Sequence, residues 1–432
     1  IGIFIDLQHT IPLKESPNMK FEDLNLHPTL LKAIKDQNYT KPTAIQERAI
    51  PIILKKNDVL GSAQTGTGKT AAFALPILHH LINEKEQTGK KRIKTLVVTP
   101  TRELAIQIGE NFTDYSKYNG ISNTVIFGGV KQGNQTNILR RGVDVLVATP
   151  GRLLDLMGQG YISLSDVKYF VLDEADRMLD MGFIHDIKKL LEKLPKQRQS
   201  LFFSATMPKS ILELSNSILQ NPQKVEVHQT STTAETIQQY IYYTNKSSKK
   251  DLLFHILDNK EIQQILVFSR TKHGADRIVR NLKQKNINAA AIHGDKSQNQ
   301  RQRALKSFKD HQLRVLVATD IAARGIDIDH LSFVLNYDIP NEPETYVHRI
   351  GRCGRAGKEG ISISISDAEE NAYVRDIEKL INKKIEEVKE NPFVQTDKPM
   401  TAKEKKEFEK EKNRKKQEFF QNRNKKRGGN RR

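Results

Sequence analysis

The stretch Ala63-Gln64-Thr65-Gly66-Thr67-Gly68-Lys69-Thr70 follows an apolar run and precedes a helical one. Its glycines let backbone N–H groups turn inward around phosphate oxygens, and the helix from Ala71 offers the positive end of its dipole. Lys69 is spaced to reach β- and γ-phosphates, and the Thr70 hydroxyl to ligate Mg²⁺. The general loop of this kind has Gly where this chain has Ala63, so the match rests on Gly68-Lys69-Thr70 and its setting. A Gly-rich turn that holds no ligand is the alternative.

A second group of acids is delivered by Tyr169-Phe170-Val171-Leu172, four apolar residues that read as a buried strand ending at Asp173 and Glu174. Ligands bind at that edge of open α/β sheets. Asp173 can hold Mg²⁺, and Glu174 can orient and deprotonate an attacking water. Two acids after a strand can also be an ordinary helix N-cap.

These side chains need parallel strands to carry them. Short apolar, β-branched runs alternate with helical stretches at 58–60, 96–98, 125–127, 145–147, 170–172 and 201–203, then again at 265–268, 315–317, 334–335 and 361–363. Continuous apolar runs suit strands buried on both faces, and intervening helices imply βαβ crossovers. The expectation is an α/β fold with two domains, at 19–222 and 237–392. The linker is expected at 223–236, where Gln229-Thr230-Ser231-Thr232-Thr233 has no apolar period.

Composition narrows the function classes. In 432 residues, 37% hydrophobic, 70 Lys and Arg oppose 51 Asp and Glu, a net +19. That excess points to a polyanion, most often nucleic acid, although an acidic membrane surface also attracts it. Residues 401–432 hold 14 Lys and Arg against 5 Glu. The segment 393–432 is therefore expected to be a basic low-complexity tail, with a solvated helix over 402–420 and disorder after it. A single cysteine, Cys353, leaves no disulfide within the chain, which suits a reducing, cytoplasmic setting and no disulfide-linked partner. No apolar run approaches the roughly 20 residues that cross a bilayer, so no membrane partner is expected. Residues 1–18 lack a basic region and a small-residue cleavage site, so a secretory leader is not expected. Because Met19 opens a well-patterned segment, they are expected to be upstream or otherwise non-native sequence, with a genuine short extension as the alternative.

Asp173-Glu174-Ala175-Asp176 is the tetrapeptide that names the DEAD-box RNA helicases, and the chain resembles that family over about residues 20–392. Asn38 to Gln46, with Phe21 upstream, resembles the adenine-reading Q motif (19–47), and Ala63 stands where this family accepts Ala. Pro100 to Ala105, Gly128-Gly129, Thr149 to Arg152 and Ser204-Ala205-Thr206 match further motifs in order. So do Val267 to Thr271, Gln298 with Arg301, Ala318 to Asp327, and His348 to Arg355 in the second half. Residues 177–183 resemble the bacterial RhlE-like subgroup.

The resemblance implies two tandem RecA-like domains with parallel sheets, ATP and Mg²⁺ as cofactors, and RNA as partner. Lys69, Asp173, Glu174, Arg352 and Arg355 would be catalytic, the last two as arginine fingers on the γ-phosphate. Arg349, Arg352 and Arg355 should repel one another, which favours an anion between them over a solvated basic turn. ATP would be bound by Gln46, whose amide both donates and accepts, by Tyr39 or Phe21 against the purine, by residues 63–70, and by Asp327 at the ribose. Tyr39 and Phe21 could otherwise be plain core. Thr70 and Asp173 would hold Mg²⁺, and Ser204, Thr206 and His348 would couple hydrolysis to RNA. With phosphate-cradling groups in one domain and fingers in the other, ATP would act as glue between them.

RNA contacts would come from Thr101, Arg102, Gly129, Thr149, Arg152, Arg270, Gln298, Arg301 and Thr319. Hydroxyls, guanidinia and backbone amides suit phosphates and 2′-hydroxyls, so binding should be sequence-independent. The implied activity is RNA-stimulated ATP hydrolysis with local duplex unwinding and RNA–protein remodelling, in ribosomal or RNA-degradation assemblies. An ATP-dependent RNA clamp is the alternative, and a DNA translocase a more distant one. Cys353 departs from the family's usual Thr: a tolerated swap, or a redox-sensitive thiol near arginines.

Overall fold

The structure is a computed structural model that describes residues 19–63, 66–84, 91–227, 237–323, 328, 331–353, 360–399 and 401. It divides into two compact units.

The first unit is built on seven parallel strands: β1 (Val59–Ser62), β2 (Thr95–Val98), β3 (Asn123–Ile126), β4 (Val145–Ala148), β5 (Tyr169–Leu172), β6 (Gln199–Ser204) and β7 (Gln223–Glu226). They lie in the order β3-β4-β2-β5-β6-β1-β7. Every residue of β2, β4, β5 and β6 is buried, as sheets covered by helices on both faces require. Two apolar clusters fill the unit. One includes Val97, Val147, Val171 and Phe203; the other includes Leu96, Leu146, Phe170 and Phe202, the alternate residues of the same strands.

The second unit holds β8 (Ile237–Tyr243), β9 (Ile265–Phe268), β10 (Ala289–Ile292), β11 (Val315–Ala318), β12 (Phe333–Asn336), β13 (Gly360–Ser366) and β14 (Glu386–Glu387). These are also parallel, in the order β10-β11-β9-β12-β13-β8-β14. Numbered within each unit, the two orders are the same permutation.

Two boundaries move. Gln223–Glu226, read as linker, is β7, paired with β1 in register Val59↔Gln223. Its exposed Gln223, Lys224 and Glu226 gave it the look of a loop. The tail does not begin at 393 either. Thr244 Oγ1 donates to Phe393 O (2.6 Å), Asn245 Oδ1 accepts from Thr396 N (2.8 Å) and Asp397 N (2.9 Å), and Asn371 Nδ2 donates to Gln395 Oε1 (3.0 Å). Residues 402–432 and 1–18 lie outside the described residues, as do 228–236. Among the described residues no helix is long and apolar enough to cross a membrane.

Candidate active site

In a parallel sheet all strands end on one edge, and the candidate residues of the first unit follow strand ends there. Ala63 and Lys69 follow β1, Thr101 and Arg102 follow β2, Gly129 follows β3, and Thr149 and Arg152 follow β4. Asp173 and Glu174 follow β5, and Ser204 ends β6, ahead of Thr206.

The loop after β1 is shaped by glycine. Gly66 and Gly68 take left-handed φ angles of 84° and 90°, and a Cβ on Gly68 would stand 2.4 Å from Gln46 Nε2. Gly68 caps the helix Lys69–Asn83, so Lys69 opens it. The Lys69 side chain is buried, and its Nζ donates to Ala63 O at 2.8 Å. Gln46 is also engaged: its Oε1 accepts from Thr43 N (3.0 Å) and its Nε2 donates to Gly68 O (3.1 Å). The amide expected at adenine here ties the Q-motif helix to the phosphate loop. Phe21 lies in the core, and Tyr39 stacks on it with ring centroids 6.3 Å apart while staying 39% exposed. Tyr39 therefore presents the open ring. Thr67 and Thr70 are half-buried; Gln64 and Thr65 lie outside the described residues.

Asp173 and Glu174 are both buried. Burial pushes the Asp173 carboxyl up, against the nearby positive charge of Lys69. Glu174 sits at φ 55°, ψ 50°, a left-handed conformation unusual for a residue with a Cβ. Its Oε2 accepts from Arg177 NH1 at 2.7 Å. The Asp173 carboxylate and the Thr70 hydroxyl are hard oxygen donors of the type Mg²⁺ accepts, together with water and phosphate oxygens. Among the described residues no group of three or more His, Cys, Asp or Glu is placed to hold a metal.

Asp176 is a residue that the sequence reading assigned no role. Its Oδ2 accepts from Ala205 N (3.1 Å), Thr206 N (2.9 Å) and Thr206 Oγ1 (3.1 Å), while Ser204 Oγ accepts from Asp176 N (3.3 Å). The tetrapeptide thus grips Ser204 and Thr206 directly. Its place in the quoted motif was the only signal.

Of the residues expected to contact RNA, Thr101 caps the helix Arg102–Tyr115, its Oγ1 accepting from Leu104 N at 3.4 Å, and Thr149 is the N-cap of the helix Pro150–Gly158. Gly129 has φ 78°, and the Arg102 guanidinium lies against it. Arg102 has no hydrogen-bond or ion-pair partner among the described residues. Arg152 differs. Its side chain is only 11% exposed, with NH1 on Gln135 Oε1 (3.3 Å), NH2 on Val130 O (3.0 Å) and Nε 3.5 Å from Asp155 Oδ2. It braces a loop rather than facing solvent.

In the second unit, Arg270 NH2 reaches Glu370 Oε1 (2.5 Å) and Ile339 O (2.6 Å). Gln298 opens the helix Gln298–Lys309, buried, with Arg301 one turn on. Thr319 follows β11, and His348 lies in the helix Pro343–Ile350. Asp327 and Arg355 lie outside the described residues, and Arg352 is buried.

Two inferences from the arginine cluster are corrected. Arg349 is neutralised inside the protein: Nε and NH2 donate to the two oxygens of Asp320 (2.6 and 2.9 Å), and NH1 to Asn336 Oδ1 and Asp338 O. The crowding of three arginines therefore does not by itself require an external anion. Cys353 is fully buried, its thiol donating to Ile350 O at 3.0 Å, which favours the tolerated swap over an accessible, reactive thiol.

Comparison with known proteins identifies the family. Residues 43–214 match the DEAD/DEAH box helicase family and residues 248–357 the helicase conserved C-terminal domain. The ATP-dependent RNA helicase CshA of Limosilactobacillus reuteri is 42% identical over 84% of this chain and 72% of its own length. DeaD of Buchnera aphidicola is 41% identical over 86% of this chain but 61% of its own length. Among solved structures, S. cerevisiae Dbp5 bound to RNA and ADP BeF3 superposes with TM-score 0.73 at 33% identity, covering 85% of this chain and 95% of that one.

Proposed function

The chain belongs to the DEAD/DEAH box helicase family and is an ATP-dependent RNA helicase, and we propose that it hydrolyses ATP on the edge of the first sheet to separate short RNA duplexes locally. The observation that carries this reading is the phosphate loop: left-handed glycines, a buried Lys69 held by the Ala63 carbonyl, and buried acids at the neighbouring strand end.

Each residue has a part. Backbone groups of 63–68 and the Lys69 ammonium hold the phosphates, and Tyr39 offers a ring to the purine. Thr70 and Asp173 would hold Mg²⁺, which would neutralise charge developing on the phosphoryl oxygens. Glu174, fixed by Arg177, aligns a water and accepts its proton. Asp176 passes the state of this site to Ser204 and Thr206. Gln46 acts first on the loop itself, through Gly68. Arg352, and Arg355 beyond the described residues, take the fingers' part in hydrolysis.

RNA is bound through phosphates. Two helix N-termini, at Thr101 and Thr149, and the Arg102 guanidinium, unpartnered among the described residues, offer donors without base-edge specificity. Arg270, Gln298, Arg301 and Thr319 are proposed to add contacts from the second unit, and assemblies that handle ribosomal or decaying RNA are the proposed setting. The test compares stimulation of ATP hydrolysis by single-stranded RNA and by DNA of the same sequence. RNA should stimulate strongly and DNA weakly; equal stimulation would replace the helicase reading by a DNA translocase.

A further inference from the structure

We propose that Gln135 is a positioning residue for RNA, holding the Gly128–Gly129 loop, and through it Arg102, at the depth a phosphate requires. The inference rests on the assignment of Arg102 and Gly129 to RNA.

Gln135 sits in the first turn of the helix Gly133–Arg141 and is buried. Its carboxamide is spent on the loop after β3 and on Arg152 of the helix Pro150–Gly158 rather than on its own helix. Oε1 accepts from Phe127 N (3.3 Å), and Nε2 donates to Phe127 O (3.2 Å). Phe127 is the first residue beyond β3, so these bonds take the place of the ladder where the strand ends. A carboxamide can donate and accept at once to a single backbone residue, whereas a carboxylate can only accept.

The same Oε1 accepts from Arg152 NH1 (3.3 Å), and Arg152 NH2 then closes on Val130 O (3.0 Å). Phe127 and Val130 bracket Gly128 and Gly129, so the loop is pinned on both sides by one amide and the guanidinium resting on it. Gly129 takes a left-handed φ of 78°, which favours glycine, and a Cβ there would stand 2.4 Å from both terminal nitrogens of Arg102 and so displace the guanidinium. The guanidinium lies directly on the loop, and shifting the loop shifts the charge. Arg152 belongs to this brace, which accounts for its burial.

The test titrates RNA against ATPase activity of the full chain at several salt concentrations, for the parent, Gln135→Ala, Gln135→Glu, Arg102→Ala and the Gln135→Ala/Arg102→Ala double variant. Gln135→Ala should raise the half-saturating RNA concentration about fivefold, the scale of one displaced hydrogen bond. It should also flatten the log–log salt slope by about 0.7, one single-strand phosphate contact. Turnover at saturating RNA and the KM for ATP should stay within about twofold. Gln135→Glu keeps both acceptor contacts and loses the donor to Phe127 O, so it should fall between parent and Gln135→Ala; it carries the test if the alanine variant folds poorly. The double variant should be no weaker than Arg102→Ala alone, because both changes remove one contact. Multiplicative losses, or an unchanged slope in Gln135→Ala, overturn the proposal while the RNA face stands. Unchanged RNA affinity in Arg102→Ala overturns the RNA face itself, and this inference with it.

Discussion

Lys69 and Lys249 occupy one position in two copies of one strand order. Each is the first residue of the helix after the first strand of its sheet, in Lys69–Asn83 and Lys249–Leu257, and each is buried. They differ in what stands opposite. Lys69 Nζ holds a neutral carbonyl, Ala63 O, in a loop opened by left-handed glycines. Lys249 Nζ donates to Glu370 Oε2 (2.5 Å) and Tyr337 O (3.1 Å), with Asp367 at 3.4 Å and Asp338 at 3.9 Å. One charge bonds a neutral carbonyl, as a proposed phosphate ligand can, and the other is spent on three carboxylates. Burial of a lysine at this place is a property of the fold; what sets Lys69 apart is that, among the described residues, its ammonium bonds a carbonyl and is ion-paired to no carboxylate.

Chemistry gives the largest effects. Lys69→Ala should remove ATP hydrolysis below detection, and Glu174→Gln should slow it by about 10²–10⁴-fold while ATP and RNA still bind, since an amide cannot accept the water's proton. Single-turnover hydrolysis measures both, and hydrogen exchange of β1–β6 should be unaltered. A Glu174→Gln rate within threefold of the parent removes Glu174 from the mechanism.

The matching change in the second unit should act on stability. Lys249→Met leaves Asp338, Asp367 and Glu370 without their central cation. Burial already pushes the Glu370 carboxyl up, and Lys249 opposes that. Removing one partner of such a buried network costs about 3–5 kcal/mol. Amide exchange in β8, β12 and β13 should accelerate accordingly, while β1–β6 exchange as before. If Lys249→Met leaves that protection intact and instead weakens ATP binding, the contrast between the two lysines is wrong.

How far the sequence revealed this depends on distance along the chain. The central strands were legible because each is a continuous apolar run, and the phosphate loop because its chemistry is local to eight residues. Four strands were not. β10 is Ala289-Ala290-Ala291-Ile292, rich in the best helix former; β8 sets the adjacent Gln238 and Gln239 before Tyr-Ile-Tyr-Tyr, with no continuous aliphatic run; β7 is a charged edge, and β14 is only Glu386-Glu387. Among site residues, those missed act through partners the sheet brings together. Asp176 meets a loop 30 residues away, and Gln135 meets Arg152 across 17. Arg349 misled because its neutralising acid, Asp320, stands 29 residues upstream.

A smaller effect is expected from the basic segment, which has no counterpart in the first unit. Because residues 393–397 are bonded to Thr244, Asn245 and Asn371, a cut after Pro392 would damage the second unit; the informative truncation follows Thr401. It should raise half-saturating RNA and flatten the salt slope, with maximal turnover and exchange protection unchanged. Each lost phosphate contact is worth about 0.7 in that slope. An RNA titration at several salt concentrations with neither value altered would assign the segment to solvation or to protein docking.

The smallest effect tests whether the second unit holds any chemically open group of its own. Cys353 is its candidate, between two arginines that would stabilise a thiolate. Its sulfur is sealed from solvent and donates to Ile350 O, and Cys353 pairs with Leu331 in an isolated parallel bridge. A threonine hydroxyl has a similar size and can donate to the same carbonyl, so no buried polar group is orphaned by the exchange. Cys353→Thr should therefore change stability by less than about 1 kcal/mol and leave ATPase activity and duplex separation as they are under reducing conditions. Mild peroxide supplies the decisive arm. A sealed sulfur predicts that parent and Cys353→Thr lose activity at the same slow rate; selective inactivation of the cysteine form would mean that the segment around Cys353 opens in solution and that the second unit, too, carries a reactive centre.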